Sequence, residues 1–483
     1  MLLILPVILP ITAGLLLWGL PDYRRGMENK YVIGSLLAAI VSVLCVIVSG
    51  EKSVVLWQFT DRIDIRLCND PLAKFFMALA ALIWLMVGIY TVEYNAGDKN
   101  RRRFHCFYLC TLGCLTGLCL SANAVTFYMF YELVTLMTLP LVMHTMEREA
   151  VAAGVKFLIY SILGASAALL GIVFLLHYDV GLEFIPGGGL NGSRLAGNEG
   201  LLLVIVFVML LGFGVKAGMF PVHAWLPTAH PAAPAPASAV LSGVITKMGV
   251  LGVIRVIFFL TGPDFLKGTW VQSTLLTLSL VTIFMGSFLA LREKALKKRL
   301  AYSSISQVSY ILFGIFTFSP AGLIGAMLHV VCHSLIKNTL FMAAGVILHK
   351  TGKAWVDALR GLGRSMPRVM GIFTIGSLSL IGVPLTGGFI SKWYLASGAL
   401  SMGGSVGWIG PVVLLASALL TAGYLLTLSL RAFFGEEKIG FEGCDAPPAM
   451  WAPMLTLALL SLLVGLFPNA LIELIQTFAR LLF

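Results

Sequence analysis

The chain has 483 residues, of which 59% are hydrophobic and only 11% are charged, and its formal net charge at pH 7 is +11. Soluble domains are about 45–50% apolar and about 25% charged, so this composition excludes an ordinary soluble protein and indicates a membrane protein. Because the positive charge lies in short segments between apolar runs, the sequence argues against nucleic acid as a partner and predicts contact with lipid.

Apolar runs of about 20 residues, each long enough to cross a hydrocarbon core of ~30 Å, follow one another along the whole chain. They predict an all-α polytopic membrane protein with about fourteen transmembrane helices. The short alternating pattern of transmembrane β-strands is absent from the sequence. We number the runs as spans 1 to 14: 2–20, 31–50, 71–94, 104–121, 123–144, 154–177, 200–220, 236–260, 270–291, 300–318, 321–349, 369–399, 408–432 and 449–479.

Lysine and arginine are distributed unequally between the connections. The connections that follow odd-numbered spans hold 20 of these residues when Arg431 at the end of span 13 is included, and those that follow even-numbered spans hold 5. Cytoplasmic loops of membrane proteins carry an excess of both residue types. We therefore expect the odd-numbered connections in the cytoplasm and both termini outside.

The connection between spans 2 and 3 has a pattern of its own. The segments VVLWQF and DIRL flank a turn within residues 51–70 and predict a small external β-hairpin. No connection is long enough to form a soluble domain, so an electron-transfer partner would have to be a separate protein.

Span 4 carries four of the eight cysteines of the chain: Cys106, Cys110, Cys114 and Cys119. A metal or cluster site is disfavoured because the four residues contain no C-x-x-C pair. We interpret them as small, polarizable apolar side chains that fill space between helices. The sequence thus predicts neither a metal nor a cofactor.

Ionisable residues lie deep inside several apolar spans. The main ones are Glu132 in span 5, Lys216 in span 7, Lys247 in span 8, Lys337 in span 11 and Lys392 in span 12. Five central charges would cost about 12–18 kcal/mol if they faced lipid. They are therefore expected to face a paired and hydrated interior.

Two interpretations of these charges remain open. Glu132 is either a carboxylate that stabilises helix packing or a proton-exchanging group whose charge is set by a neighbouring lysine. We favour the second and predict a closed or water-bridged pair of Glu132 and Lys216. Lysines that reach an interface with their long side chains are a simpler explanation, which remains possible for Lys74 and Lys156 but not for Lys247 at mid-helix.

Span 11 contains a ladder of titratable residues, HVVCHSLIK. His329, His333 and Lys337 are spaced i, i+4 and i+8, which places them on one helix face. Zinc binding and simple packing are alternatives, but a proton relay along a hydrated path is favoured because histidine titrates near neutral pH. His223 and His230 flank a proline-rich break after span 7 and are predicted to support the relay.

A lysine beside a helix break occurs twice. Lys216 precedes Pro221 by five residues, whereas Lys392 follows Pro384 by eight, with Gly387 and Gly388 between them. The order of break and lysine is reversed five spans later, as an inverted-topology repeat would give.

Several motifs carry a resemblance to a known family. HAWLPTAHPAAPAPASAVLSGVITK, KKRLAYSSISQVSY, HVVCHSLIKNTLFMAAG and GVPLTGGFISKW resemble segments of the antiporter-like subunits shared by respiratory complex I, Mrp-type Na⁺/H⁺ antiporters and membrane-bound energy-converting hydrogenases. The AHPAAP sequence around His230 resembles hydrogenase-associated members more than Mrp D-type ones, and Lys392 points to a slightly different relative. The subtype implied by the resemblance is therefore a hydrogenase-associated or Mrp D-like member.

The resemblance implies a fourteen-helix fold with two inverted five-helix repeats and with helices 7 and 12 broken. It divides the chain into N-terminal helices 1–3 (1–103), a first repeat of helices 4–8 (104–260), a second repeat of helices 9–13 (261–434) and helix 14 (435–483). The family's ion-translocating residues fall on Glu132, Lys216, Lys247 and Lys392, and its helix 11 histidine on His329 or His333.

The resemblance also implies a function: translocation of H⁺ and/or Na⁺ in a multi-subunit complex of a bacterial or archaeal cytoplasmic membrane. Expected partners are other antiporter-like and small hydrophobic subunits and a redox arm. Alternatives are a proton-pumping subunit of an NADH-quinone oxidoreductase or, less well supported, a quinone-binding redox subunit. No nucleotide-binding or nucleophile motif predicts bond-making chemistry by the chain itself.

Overall fold

The computed structural model describes residues 1–19, 25–61, 63–178, 181–190, 197–435 and 445–483. These residues form helices and one β-hairpin. The helices are α1 Leu5–Gly19, α2 Arg25–Val48, α3 Pro71–Tyr94, α4 Arg101–Cys119, α5 Ala124–Val142, α6 Arg148–His177, α7 Glu199–Ala217, α8 Leu226–Ala232, α9 Ala235–Thr261, α10 Pro263–Leu266, α11 Trp270–Arg292, α12 Leu296–Phe316, α13 Pro320–Thr351, α14 Leu362–Ser365, α15 Pro367–Ile381, α16 Gly387–Met402, α17 Gly404–Phe434, α18 Pro448–Leu466 and α19 Asn469–Ala479.

Within the described ranges, 11 helices are long and apolar enough to cross a membrane. They are α1, α2, α3, α5, α6, α7, α9, α11, α13, α17 and α18. The predicted spans 4, 10 and 12 coincide with α4, α12 and the pair α15 and α16, which are shorter or more polar. The polytopic all-α fold is thus confirmed, while the count of fourteen crossings stays a prediction.

Spans 7 and 12 are both interrupted. The helix α7 ends at Gly218, which adopts a left-handed conformation (φ 78°), and α8 begins at Leu226. The helix α15 ends at Gly382 (φ 89°), and α16 begins at Gly387. A Cβ atom at Gly388 would lie 1.8 Å from the carbonyl oxygen of Ser379, so only glycine fits where the two half-helices meet.

The predicted hairpin is confirmed. The strands β1 Ser53–Thr60 and β2 Ile63–Cys68 pair antiparallel, with Ser53 opposite Cys68. The amide of Arg66 on β2 donates to the Thr126 hydroxyl at the start of α5, at 3.0 Å. The hairpin therefore covers the same end of the bundle from which α5 starts.

The helices α9 and α13 form the centre of the bundle. The apolar window of α9 is 100% buried and that of α13 is 94% buried. A helix that is apolar on all sides belongs in the interior, and this position takes the ionisable residues of both helices away from lipid.

The helix α9 is not a regular α-helix. It contains two π-helical stretches, Leu241–Ile245 and Arg255–Thr261, on either side of an α-helical segment that carries Lys247. Such turns close a hydrogen bond across five residues instead of four and occur often at functional sites. The sequence did not predict them.

Span 14 was predicted as one helix over 449–479, which is wrong beyond Leu466. The helix α18 ends there, and a separate helix α19 begins after Pro468. A residue before proline avoids the α conformation, and Phe467 accordingly has φ −128° and ψ 62°. The short helix α19 buries one face, through Ile472, Ile475 and Phe478, and leaves the other exposed.

Candidate functional site

Lys216 lies in the last turn of α7, immediately before the break. Its side chain is 1% exposed. The ammonium donates hydrogen bonds to the carbonyl oxygen of Tyr131 at 3.0 Å and to the hydroxyl of Thr135 at 2.9 Å, and it lies 3.5 Å from the centre of the Tyr131 ring. The side of α5 that faces α7 thus satisfies this charge with neutral oxygens and an aromatic ring.

Glu132 does not form the predicted closed pair with Lys216. In the part of the chain that the structure describes, the carboxylate has no ion-pair partner, although it lies near enough to Lys216 for their charges to interact. The reason is geometric: Glu132 follows Tyr131 by one residue, which is about 100° around the helix, and it is only half-buried. The Lys216 ammonium therefore binds the buried side of α5, at Tyr131 and Thr135, and does not contact the Glu132 carboxylate.

Lys247 and His333 are in direct contact. The ammonium of Lys247 lies 2.6 Å from Nδ1 of His333 and donates a second hydrogen bond, also 2.6 Å long, to the carbonyl oxygen of Ser242. Both side chains are buried. The structure therefore brings span 8 and span 11 together at the positions that the sequence singled out.

His329 extends this contact along α13. Its ring stacks on that of His333 with 6.0 Å between the centroids. Its Nδ1 atom lies 2.9 Å from the hydroxyl of Ser391, and its Nε2 atom lies 3.1 Å from Oε1 of Gln307. Both ring nitrogens are engaged, and Nδ1 of His333 is held by Lys247, so the pair is poorly arranged to bind zinc.

Lys392 lies at the far end of the same series. Its ammonium donates to the carbonyl oxygens of Leu380 at 2.7 Å and Ile381 at 2.8 Å, which are the last two residues of α15. Pro384 has no N–H to offer the carbonyl of Leu380, so the break leaves an acceptor that the lysine satisfies. We call the series Lys247, His333, His329, Ser391 and Lys392 the central chain.

The remaining predicted relay residues lie beside the central chain. Lys337 donates to the carbonyl of Leu300 at 3.0 Å and contacts the hydroxyl of Ser303, so it faces α12 rather than His333. His230 is fully buried and stacks on Phe341 with 4.8 Å between the centroids, and neither of its ring nitrogens has a hydrogen-bond partner among the described residues.

His223 and Lys156 lie towards the end of the bundle that the charge distribution assigns to the cytoplasm. Lys156 lines a cavity of about 520 Å³ together with Glu147, Thr228 and Lys298. Nδ1 of His223 is buried and has no hydrogen-bond partner in the described ranges. In that part of the chain, hydrogen bonds join neither His223 nor His230 to the buried lysines.

Lys216 and Lys247 belong to separate groups. The helices α7 and α9 touch at Gly249, where a Cβ atom would lie 2.6 Å from the amide of Ala217 and from the carbonyl of Phe213. Among the side chains that the structure describes, no series of hydrogen bonds links the two ammonium groups. The site thus consists of an α5–α7 pair, Glu132 and Lys216, and the central chain.

Sequence reasoning missed Arg255. Its buried guanidinium pairs with Asp70 at 2.5 Å and lies over the rings of Phe184 and Phe259. Asp70 and both rings line a cavity of about 310 Å³ at the hairpin end of the bundle. The available signal was an arginine inside an apolar span. Asp70 is also the N-cap of α3, where it accepts from the amide of Ala73 at 2.7 Å.

Sequence comparisons identify the family. Residues 121–429 match the family described as NADH:quinone oxidoreductase/Mrp antiporter, TM. The chain is 31% identical to the NADH-quinone oxidoreductase subunit N of Desulforudis audaxviator over 98% of its own length and 96% of that protein. The chain belongs to this family. It is an antiporter-like subunit of the complex I and Mrp type and a multi-pass membrane protein.

Two further comparisons give the range of relatives. The D-type component of the Na⁺/H⁺ antiporter of Bacillus subtilis is 28% identical over 90% of this chain and 87% of its own length. A chain in the structure of the Mrp complex from Dietzia sp. DQ12-45-1b has the same fold, with a TM-score of 0.87, 22% identity and coverage of 99% and 97%. These identities are too similar to separate an N-like from a D-like member, so the subtype stays a prediction.

Proposed function

We propose that the chain translocates ions as the antiporter-like subunit of a multi-subunit, redox-driven or Mrp-type membrane complex. Glu132, Lys216, Lys247 and Lys392 would carry the ion-translocating charges. His329, His333 and Lys337 would relay protons inside the bundle, and His223 and His230 would connect to the cytoplasm. The observation that carries the proposal is the central chain, a row of titratable and hydroxyl groups that crosses from α9 to α16 through the most buried part of the molecule.

The central chain suits protons. An ammonium N–H of Lys247 points at Nδ1 of His333, so a proton can pass to the imidazole and leave a neutral amine. From His333 a proton would move to His329 when a ring turns out of its present hydrogen bonds, and then past the Ser391 hydroxyl to Lys392, with each group returning to its initial state once the next proton enters. A sodium ion, like other hard cations, prefers oxygen ligands, and this series consists mainly of nitrogen atoms.

Glu132 and Lys216, the α5–α7 pair, would act as the switch that controls proton loading in the first repeat, 104–260. Lys216 holds neutral oxygens on α5 while Glu132 remains nearby without a direct contact. A change in the charge of Glu132 would alter the attraction on the ammonium across a region of low dielectric constant. We propose that Lys216 moves between the Tyr131 carbonyl and the Glu132 carboxylate as the proton load of the site changes.

The arrangement in the membrane follows from the same proposal. The odd-numbered connections would lie in the cytoplasm and both termini outside, with 104–260 and 261–434 forming the two inverted repeats. The reversed order of lysine and break in α7 and α16 supports this symmetry. Partners would be other antiporter-like and small hydrophobic subunits, with a redox arm if the complex is redox-driven.

Two alternatives remain, one for the type of complex and one for a quinone site in the chain. The name of the relative from Desulforudis audaxviator supports a proton-pumping subunit of an NADH-quinone oxidoreductase. A quinone-binding redox subunit is less well supported, because the cavities near Arg255 and Lys156 lie at the ends of the helices and away from the central chain. The subunits that co-purify with the chain would separate these alternatives.

The test is ion uptake by vesicles that contain the assembled complex. Lys392→Ala removes the last group of the central chain and is expected to reduce uptake to background, with the complex still assembled. Lys350→Ala removes an exposed lysine from the end of α13 and serves as the matched control. Full pumping by Lys392→Ala would show that Lys392 is structural and would refute the proposed path.

A further inference from the structure

The π-helical stretch Leu241–Ile245 ends two residues before Lys247 and changes the backbone hydrogen bonds of that segment. The amide of Thr246 donates to the carbonyl oxygen of Leu241, five residues back. In an unbroken α-helix that amide would bond to the carbonyl of Ser242. The Ser242 carbonyl is thereby released from its usual backbone donor.

The released carbonyl binds Lys247. It accepts from the Lys247 ammonium at 2.6 Å and from the Thr246 hydroxyl at 2.8 Å. The ammonium is thus held between one carbonyl of its own helix and Nδ1 of His333 on α13. Without the π-helical turn, the Ser242 carbonyl would accept from the Thr246 amide, and the Lys247 ammonium would lack this second acceptor.

Two contacts hold the turn in place. The hydroxyl of Ser242 lies 2.7 Å from that of Ser304 on α12. On the other side the backbone of Gly243 approaches α13 so closely that a Cβ atom would lie 1.8 Å from Nδ2 of Asn338. Asn338 is fully buried, and its Nδ2 donates to the Ser334 carbonyl at 2.7 Å, so the amide cannot move away without losing this bond.

We propose that Gly243 is a positioning residue for Lys247: its missing side chain lets the π-helical turn lie against Asn338, and the turn supplies the Ser242 carbonyl that fixes the ammonium opposite His333. This inference rests on the proposed function, because it assigns the turn a role in the proton path. It extends that function by explaining why the central chain starts where it does, at the one lysine of α9.

The experiment compares four assembled complexes in vesicles: wild type, Gly243→Ala, Asn338→Ala and the double variant. The added methyl group of Gly243→Ala is expected to displace the turn and the lysine, and to lower uptake by about 10- to 100-fold, since a misplacement of about 1 Å can have this effect. The double variant removes the obstructing amide and is expected to recover most of the uptake. Gly371→Ala, at a helical glycine with open space around it, is the control and should pump as wild type.

Cryo-electron microscopy of the same complexes gives a readout that does not depend on transport. Gly243→Ala is expected to shift the Thr246 amide from the Leu241 carbonyl to that of Ser242 and to separate the Lys247 ammonium from it. Recovery of both contacts should accompany recovery of uptake in the double variant. If Gly243→Ala does not assemble, Asn338→Gln is tested instead. Its longer side chain on α13 is expected to crowd the turn at Gly243 and displace it, without a change in the sequence of α9.

Several results would overturn the inference. Wild-type uptake by Gly243→Ala would do so, as would a loss of uptake with the turn and the Ser242–Lys247 contact intact, or a double variant that remains inactive. A failure of the proposed function is recognised separately, by a Lys247→Ala complex that pumps as wild type. In that case the microscopy still decides whether Gly243 positions Lys247.

Discussion

The lysines beside the two interrupted spans bind different kinds of partner. At the first break, Lys216 stands before the interruption and binds oxygens of another helix, α5, while the Trp225 indole donates to the Val215 carbonyl at 2.8 Å. At the second break, Lys392 stands after the interruption and itself binds the freed carbonyls of Leu380 and Ile381.

A helix break beside a lysine thus has two different roles in this molecule. Because a neutral indole completes the first break, Lys216 is free to exchange partners without disturbing the end of α7. At the second break the lysine is the cap, so its charge and the end of α15 are coupled. We therefore expect the first lysine to respond to its neighbours and the second to affect helix structure when it changes.

The largest expected effect comes from interrupting the central chain at His333. His333→Leu removes the imidazole that accepts from Lys247 while it keeps an apolar side chain in the buried position. Proton uptake by complex-containing vesicles should fall by about 100-fold or more, the usual contribution of a positioned proton-transfer group. His349→Leu replaces an exposed histidine near the end of the same helix and should leave uptake unchanged. Substantial pumping by His333→Leu would place the path elsewhere.

A smaller effect should distinguish the two lysines by stability. Lys392→Ala leaves the carbonyls of buried Leu380 and half-buried Ile381 without a side-chain donor, at a cost of up to about 1–3 kcal/mol for each. Lys216→Ala leaves the Tyr131 carbonyl inside an intact helix, where the backbone still satisfies it. Thermal unfolding of the purified complex should therefore begin at a lower temperature for Lys392→Ala than for Lys216→Ala, and Lys392→Arg should restore it. Equal unfolding temperatures for the two alanine variants would contradict the difference between the breaks.

The smallest effect is expected at Glu132. Because Lys216 is already held by Tyr131 and Thr135, Glu132→Gln should weaken the switch without removing the lysine from its site. We expect uptake to fall about 5- to 10-fold, in keeping with a coupling of about 1 kcal/mol, with Glu199→Gln on the exposed start of α7 as control. A loss as complete as that of His333→Leu would mean that Glu132 is itself a link in the path.

The sequence predicted the helices well because the apolar runs are long and the breaks contain proline and glycine. It did not predict the direct partners of Lys216, the Tyr131 carbonyl and the Thr135 hydroxyl, since charge alone favours a carboxylate, whereas helix geometry brings a carbonyl closer; the water-bridged form of the Glu132–Lys216 pair stays a prediction. The π-helical turns of α9 have no proline or other local signal. The neutral partners Gln307, Ser391 and Thr135 were missed for a related reason: such side chains are common in membrane helices, and only the three-dimensional structure shows which ones face a charge.

The complete enclosure of α9 has a consequence for biosynthesis. Arg255 finds Asp70 already inserted, because that partner precedes it by 185 residues. Lys247 must wait for His333, which is translated 86 residues later. At about 5–20 residues per second, this interval lasts about 4–17 s. During that time the nascent chain holds an ammonium group in the bilayer without its imidazole. We therefore expect insertion to be sensitive at the stage when α9 has been made and α13 has not.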